Sequence, residues 1–512
     1  MYQHRSLHVM HQTSLRPLLA LLVTLAACAP VARPVAGRPA ATFLLVNDVY
    51  VPDTSRDGTG GLHRLATVHR ALDRERDAIF VLAGDVLSPS LLSKWYGGRQ
   101  MIDAFNAAGL EYATFGNHEF ELPRDTLIAR VAASRFTWIS SNCALADGSA
   151  FPGVAPWDTL TTGGIRVGLF AVTIQGEYRS YVRCADPDSA AHAAIETLKG
   201  LGTELIVGLT HQDVTADSAL LARESDVALI LGGHEHTAHN VLVDGQRRVV
   251  KADANARSAQ VVTLSRQGGG WASEQQLVRI DASVETDAAT AAVVDAWRDS
   301  LVKRLGPERV VGTAPEPLEG RDDVCRSREC SLGNLVTDAL RLGTRADVAL
   351  INAGNMRIDD VIGPGTITNY HLESIFLFAD ESRNVTFPLT GARVREVLEH
   401  GLSDRSVGRG AFLQMSGVEV RYDPARPSGS RIVGDVRRSD GAVVSPGDSL
   451  RVTFGVYPAC QGGDGYQIPE AADACKTGAT APRAVDLLVQ HVTERLNGRI
   501  AAPRSGRLQR QP

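Results

Sequence analysis

Val227-Ala228-Leu229-Ile230-Leu231 runs directly into Gly232-Gly233-His234-Glu235-His236. The apolar run has the length and composition of a strand buried on both faces, and the glycines mark a sharp turn at its end. In α/β sheets, ligands bind just beyond the carboxyl ends of such strands. The pattern recurs upstream. Thr42–Val46 leads into Asn47-Asp48, and Ile79–Ala83 into Gly84-Asp85. Ala113–Phe115 leads into Gly116-Asn117-His118-Glu119, and Leu205–Thr210 into His211. Five strand ends would thus bring Asp, Asp, Asn with His, His, and a His pair to one crevice.

That donor set suits hard or borderline divalent metals, which take carboxylate, amide oxygen and imidazole. Two ions about 3.5–4 Å apart share a bridging carboxylate, clamp a phosphate and acidify a coordinated water. Asp85 is the natural bridge. An isolated histidine is more often a satisfied structural residue than a ligand. Here the ordered set, each member following an apolar run, outweighs that reading.

The chain has 512 residues, too many for one ordinary core, and implies two or three domains. Its 44% hydrophobic and 22% charged residues are ordinary for a globular protein. A formal net charge of -5 provides no basic footprint for nucleic acid.

Arg5 and Arg16 precede an apolar stretch, Leu18–Ala27, too short to span a bilayer and of the length of a signal core. It ends Leu25-Ala26-Ala27-Cys28, which resembles the lipobox of bacterial lipoproteins. Residues 1–28 are therefore expected to be a signal peptide, with Cys28 becoming a lipidated anchor in the cell envelope. Simple secretion after cleavage nearby is the alternative. Residues 29–41 then form a tether. Cys143, Cys184, Cys325, Cys330, Cys460 and Cys475 remain. An even number in an exported chain suggests disulfides. Their order invites three local pairs among fifteen connectivities. A zinc knuckle at Cys325–Cys330 lacks a second Cys pair or His close by.

Strand-like runs alternate with helical stretches such as Gly61–Arg74 and Gly97–Ala108 through residues 42–280, which implies a mostly parallel sheet with helices on its faces. Ser283–Leu305 is amphipathic, with Val294, Trp297, Leu301 and Leu305 at helical spacing. It reads as a linker helix within residues 281–312. A second α/β domain spans 313–503 and starts a helix at Ser331. Residues 504–512 are expected to be a disordered tail.

The ordered motifs Asp-x-Tyr, Gly-Asp, Gly-Asn-His-Glu, a lone His and Gly-Gly-His-x-His resemble those of the calcineurin-like metallophosphatases. With the second domain, the chain is similar to the 5′-nucleotidase family over nearly all of residues 42–500. The resemblance implies a metallophosphatase β-sheet sandwich flanked by helices, a linking helix and an α/β substrate-binding domain. It implies hydrolysis of nucleoside 5′-monophosphates with two divalent cofactor ions. Asp48, Asp85 and His236 would hold one ion, and Asp85, Asn117, His211 and His234 the other. His118 would stabilise the leaving oxygen or the phosphate charge, oriented by Glu121 where the family has Asp. A second departure is Tyr50, where the family has His. A protonated phenol is a poor ligand, its free pKa being about 10. Three roles stay open for it: weak ligand, neighbour of a water that takes the place, or hydrogen-bond partner of the phosphate.

In the second domain, Asn352-Ala353-Gly354-Asn355-Met356-Arg357 is similar to the family's Asn-Gly-Gly-Gly-Ile-Arg, and Gly462-Gly463-Asp464-Gly465-Tyr466 to its Gly-Gly-Asp-Gly-Phe. By that likeness Asn352 would touch base or ribose, and Arg357 and Arg326 the phosphate, with Asn117 also at the substrate. Phe378 and Tyr466 would stack on the base. Arginine suits phosphate because its planar fork meets two oxygens at once. Other hydrolases on the same scaffold are the alternative, acting on 2′,3′-cyclic nucleotides, nucleotide sugars or sulfur esters. A catalytically dead nucleotide-binding lipoprotein is a further one.

Overall fold

The strand ends predicted to meet do meet, but they come from two sheets rather than one. The structure is a computed structural model. It describes residues 39–511 except 56, 177, 359, 378–381 and 502. The signal segment, Cys28, most of the tether and Phe378 lie outside the described residues.

Five strands carry the site: β1 (Ala40–Val46), β2 (Ile79–Ala83), β3 (Tyr112–Thr114), β4 (Leu205–His211) and β5 (Val227–Gly233). Strands β1, β2 and β3 lie side by side and parallel in a seven-stranded sheet. Strands β4 and β5 pair in parallel in a six-stranded sheet. The alternation of helices and strands alone implied a single sheet. The sandwich implied by family resemblance is what forms. Alternate residues explain it. Leu44, Val46, Phe80 and Leu82 face a helix-covered core. Phe43, Leu45, Val81 and Ala83 face the opposite way and share a core with Val207, Leu209, Leu229 and Leu231 of the other sheet. Ile206 and Ile230 face the helices beyond. Every strand is apolar on both faces, so the layers run helix, sheet, sheet, helix.

The linker helix α1 spans Ala288–Leu305. It starts five residues later than the periodicity suggests, because Asp287 caps it, its carboxylate accepting from Thr290 N at 2.8 Å. Beyond it, α2 (Ser331–Thr344) packs on a four-stranded sheet built from Asn384–Thr390, Ser449–Gly455, Val348–Asn352 and Leu413–Ser416. Asn352 ends its strand, so the strand-end rule serves here too.

The expected disordered tail is a correction. Leu508–Arg510 pairs in parallel with Val418–Tyr422. Arg507 is 8% exposed, and its guanidinium donates to Met415 O at 3.0 Å and to Asp338 Oδ2 at 2.7 Å. Three disulfides join Cys143 to Cys184, Cys325 to Cys330 and Cys460 to Cys475. These are the three local pairs.

Candidate active site

Four of the residues at the strand ends occupy left-handed backbone conformations: Asp48 (φ 54°), Asp85 (φ 58°), His234 (φ 95°) and His236 (φ 61°). Such conformations are unfavourable for residues with a Cβ and persist only where surrounding structure enforces them. The enforcement is visible. Glu119 is fully buried, and its carboxylate accepts from the backbone N–H of Asp85, Val86, Leu87 and Gly116 at 2.7–2.9 Å. Asn47 ties its own loop to Ala252 in both directions, at 2.7 and 3.1 Å. Lys251, 0% exposed, donates to the carbonyls of Gln212 and Gly233 and meets Asp217 and Glu235. It thereby joins the ends of β4 and β5. Gly116 is required by a close approach: a Cβ there would sit 2.1 Å from Asp85 Oδ1.

Asp48, Asp85 and His211 bring one ligand atom each within 4.8 Å of one another. His211 Nδ1–H donates to Ala83 O at 2.8 Å, which directs the Nε2 lone pair inward. That Nε2 lies 3.1 Å from Asp85 Oδ2, yet makes no directed hydrogen bond, and Asn117 Oδ1 is likewise buried without a partner. Buried polar atoms are normally satisfied, so inward-facing donors of this kind fit a cation. Burial disfavours a charge on His211, but Asp85 and Asp48 outweigh it and push its pKa up to about 10. Asp85 is also buried, and His211 and His118 hold its pKa well below the usual carboxylate range. Carboxylates that attract a proton so strongly attract a metal ion for the same reason. His236 Nε2 stands 3.5 Å from Asp48 Oδ1. His234 lies beside His211, ring centres 5.3 Å apart, with its Nε2 3.8 Å from Asp213.

His118 stands beside the cluster, its Nε2 3.8 Å from Asp85 Oδ2. Its backbone N–H donates to Asp85 Oδ1 at 2.8 Å, and its Nδ1 meets Glu121 Oε1 at 2.9 Å. The extra methylene of Glu121 therefore does not break the pair. Burial opposes charge on His118, but Glu121 and Asp85 outweigh it and raise its pKa. Arg357 reaches the same Glu121 oxygen at 2.5 Å and lies 3.1 Å from His118 Nδ1. A guanidinium only donates, so the carboxylate is its partner, and both cations share one acceptor. Burial opposes the Glu121 charge, but Arg357 and His118 bring its pKa down to about 2. Arg357, Arg326, Asn352 and Asn117 line one cavity of about 490 Å³ with Glu121, Tyr178, Arg179, Tyr457 and Asp464.

Residues 41–238 match the calcineurin-like phosphoesterase family, and residues 310–471 match the 5′-nucleotidase C-terminal domain. Together the two matches span more than half of the chain. The chain belongs to the 5′-nucleotidase family. It is a phosphoesterase hydrolase, in a family that uses divalent metals. It is 26% identical over 470 residues to the 5′-nucleotidase of Bos taurus, covering 81% of this chain and 80% of that one. The crystal structure of a 5′-nucleotidase precursor from Thermus thermophilus superposes with a TM-score of 0.74 at 25% identity, over 92% of this chain and 100% of that one. The sulfate thiohydrolase SoxB of the same genus shares the fold, with a TM-score of 0.68 at 17% identity, over 92% of this chain and 96% of that one.

One residue of the 5′-nucleotidase pattern is not where the likeness implies. Tyr466 is 2% exposed. Its ring packs against His400 and Phe454, and its hydroxyl donates to Ala411 O at 2.6 Å. The Gly462–Gly465 turn sends Asp464 toward the cavity, where Asn352 donates to it at 2.7 Å, and sends Tyr466 back into the core. Tyr457 lines the cavity from the second region, lying across Gly463, where a Cβ would stand 2.5 Å from the ring. Residue types and spacing offered no signal for Tyr457, nor for Lys251. Glu119 had one, being the last letter of Gly-Asn-His-Glu.

Proposed function

We propose that the protein hydrolyses nucleoside 5′-monophosphates, AMP foremost, to nucleoside and inorganic phosphate, using two divalent ions. The observation that carries this reading is the shared cavity. Asn117 and Glu121 line it from the metallophosphatase region, and Arg326, Asn352 and Arg357 from the second region. Its volume suits a small organic ligand. Asp48, Asp85 and His236 would hold one ion, and Asp85, Asn117, His211 and His234 the other. Such ions, when bound, polarise phosphoryl oxygens and supply an acidified water. Arg326 and Arg357 orient the phosphate as paired donors. Glu121 fixes His118 through Nδ1, which leaves Nε2, 3.8 Å from Asp85 Oδ2, to hold the proton that goes to the departing 5′-oxygen. Asn352 Oδ1 is buried without a protein hydrogen-bond partner, an acceptor for a sugar hydroxyl or base amine.

A panel of phosphoesters, assayed after chelation with metals added back singly, tests the reading. AMP should lead the panel, and turnover should vanish on chelation. Turnover that survives both chelation and His118→Ala would sink it. We also propose export and anchorage through Cys28, supported by the three disulfides, which persist in oxidising compartments. Cys28→Ala should release the protein from the membrane fraction, and an unchanged distribution contradicts the anchor.

A further inference from the structure

Three arginines line the cavity, and their partners differ. Arg357 is bonded to Glu121, and Arg326 forms an ion pair with Asp322. Arg179 has no carboxylate partner among the described residues. Its one side-chain hydrogen bond runs from Nε to the carbonyl of Glu121, at 2.7 Å. A guanidinium is always charged and carries five N–H donors, so the donors of both terminal nitrogens stay open. The side chain is exposed, as most arginines are, yet it is firmly placed. Its segment leaves the strand Ile165–Thr173, and Ile174 N–H donates at once to His211 O at 2.8 Å. Two residues past Arg179, the Tyr181 hydroxyl donates to Leu122 O at 2.7 Å. Cys184 then ties the segment to Cys143. Arg179 and Tyr181 thus grip the carbonyls of two consecutive residues, Glu121 and Leu122. Glu121 is the residue that holds His118. Arg179 therefore stands at the phosphate end of the cavity, away from the pair of Asn352 and Asp464.

We propose that Arg179 is a further substrate-binding residue, and that it makes the site select doubly charged phosphate monoesters over singly charged diesters. The charges around the cavity give the direction. Glu121 lies between Arg357 and His118, and Asp322 offsets Arg326. Asp464, the other carboxylate of the lining, is bonded to Asn352 at the far end. An incoming phosphate thus meets one arginine whose charge no described residue offsets. The attraction between two charges scales with their product. A terminal phosphate has a second pKa of about 6 and carries a charge of about −1.5 to −2 at neutrality, whereas a diester carries a single charge. Each unit of charge on the ligand gains a similar factor from Arg179, and a monoester gains it twice. A terminal phosphate also presents three free oxygens to the paired donors of the guanidinium, where a diester presents two. The inference rests on the nucleotidase reading above and names the phosphate class within it.

Three ligands that share one nucleoside and differ in charge test it. Hydrolysis of AMP by the metal-loaded, full-length protein is measured at about pH 8, where the phosphate is dianionic. Adenosine 5′-methyl phosphate, with one charge, and adenosine, with none, are added as competitive inhibitors. Arg179→Gln retains a donor for Glu121 O but removes the charge. It should raise KM for AMP about tenfold and the inhibition constant of the methyl ester about threefold. The inhibition constant of adenosine should stay within about twofold, which also shows that the altered protein folds. Arg179→Lys, which restores the charge without the planar fork, should bring KM for AMP to within about threefold of the natural value. A KM for AMP that Arg179→Gln leaves unchanged overturns the inference and leaves the hydrolase reading intact. An equal shift for all three ligands does the same, since the arginine would then only shape the site through Glu121. A natural protein that turns over no AMP overturns both.

Discussion

Glu119 touches no substrate, yet the metal cluster depends on it. Oε2 accepts from Asp85 N and Gly116 N, and Oε1 from Val86 N and Leu87 N. Each oxygen faces two donors. Glu119→Gln places an NH₂ against one of those pairs whichever way the amide turns. Two buried N–H groups then lose their acceptor, at about 1–3 kcal/mol each. We expect a fall of several degrees in Tm and weaker metal uptake. A Tm within a degree of the natural protein contradicts the account. Glu121 provides a pH prediction at the same scale. Arg357 and His118, against the opposing effect of burial, lower its pKa from 4.5 to about 2. A depressed carboxylate stabilises the fold fully above its unfolded pKa and loses that contribution as pH falls through the folded value. The stability gap between the chelated natural protein and Glu121→Gln should thus hold from neutrality down to about pH 5 and close toward about pH 2. Thermal melts across that range read it, and a gap of constant size refutes it.

At the scale of elements, what the sequence disclosed depended on whether a signal is local. A run such as Val227–Leu231 followed by two glycines announces a buried strand and its end, and each expected metal residue does sit at such an end. The number of sheets was not announced. Leu44 and Phe43 face different cores, one under helices and one against the second sheet, and both positions are equally apolar. A strand between helix and sheet reads the same as one between two helix layers. Tyr466 shows the same limit. Its direction is set by the backbone of the Gly462–Gly465 turn, not by its neighbours' identities. Arg507 misled in the other direction, since charge near a terminus reads as solvated until its buried partners are known. Close approach between elements leads to a third prediction. Gly116→Ala forces a Cβ against Asp85 Oδ1, and relief requires the end of β3 to retreat from the end of β2. Overpacking of this kind costs about 1–3 kcal/mol. Metal content after desalting should fall with it, whereas full metal content in a protein of unchanged Tm would show that the glycine is incidental.

The whole molecule is organised around contacts between its two regions. Lys94, from the metallophosphatase region, is buried against Glu373 and the Phe376 carbonyl of the other. Arg357 crosses the same divide to Glu121 and so to His118. The second region thereby helps to set the charge state of a residue proposed to handle the proton, besides gripping substrate. This coupling is measurable. Removing Arg357 takes a donor from the phosphate and a cation from Glu121, whose pKa then rises, and leaves His118 as the cation on that carboxylate oxygen. Residues acting through one shared contact give non-additive effects, with interaction energies of about 0.5–3 kcal/mol. We expect Arg357→Ala to lower kcat/KM for AMP by about a hundredfold, consistent with loss of a charge-assisted hydrogen-bond donor to phosphate. Glu121→Gln should lower it as well, and the double variant should fall short of the product of the two losses by about tenfold. Strict multiplication of the single effects would mean that the two regions act on the substrate independently, and that the bond between Arg357 and Glu121 plays no part in turnover.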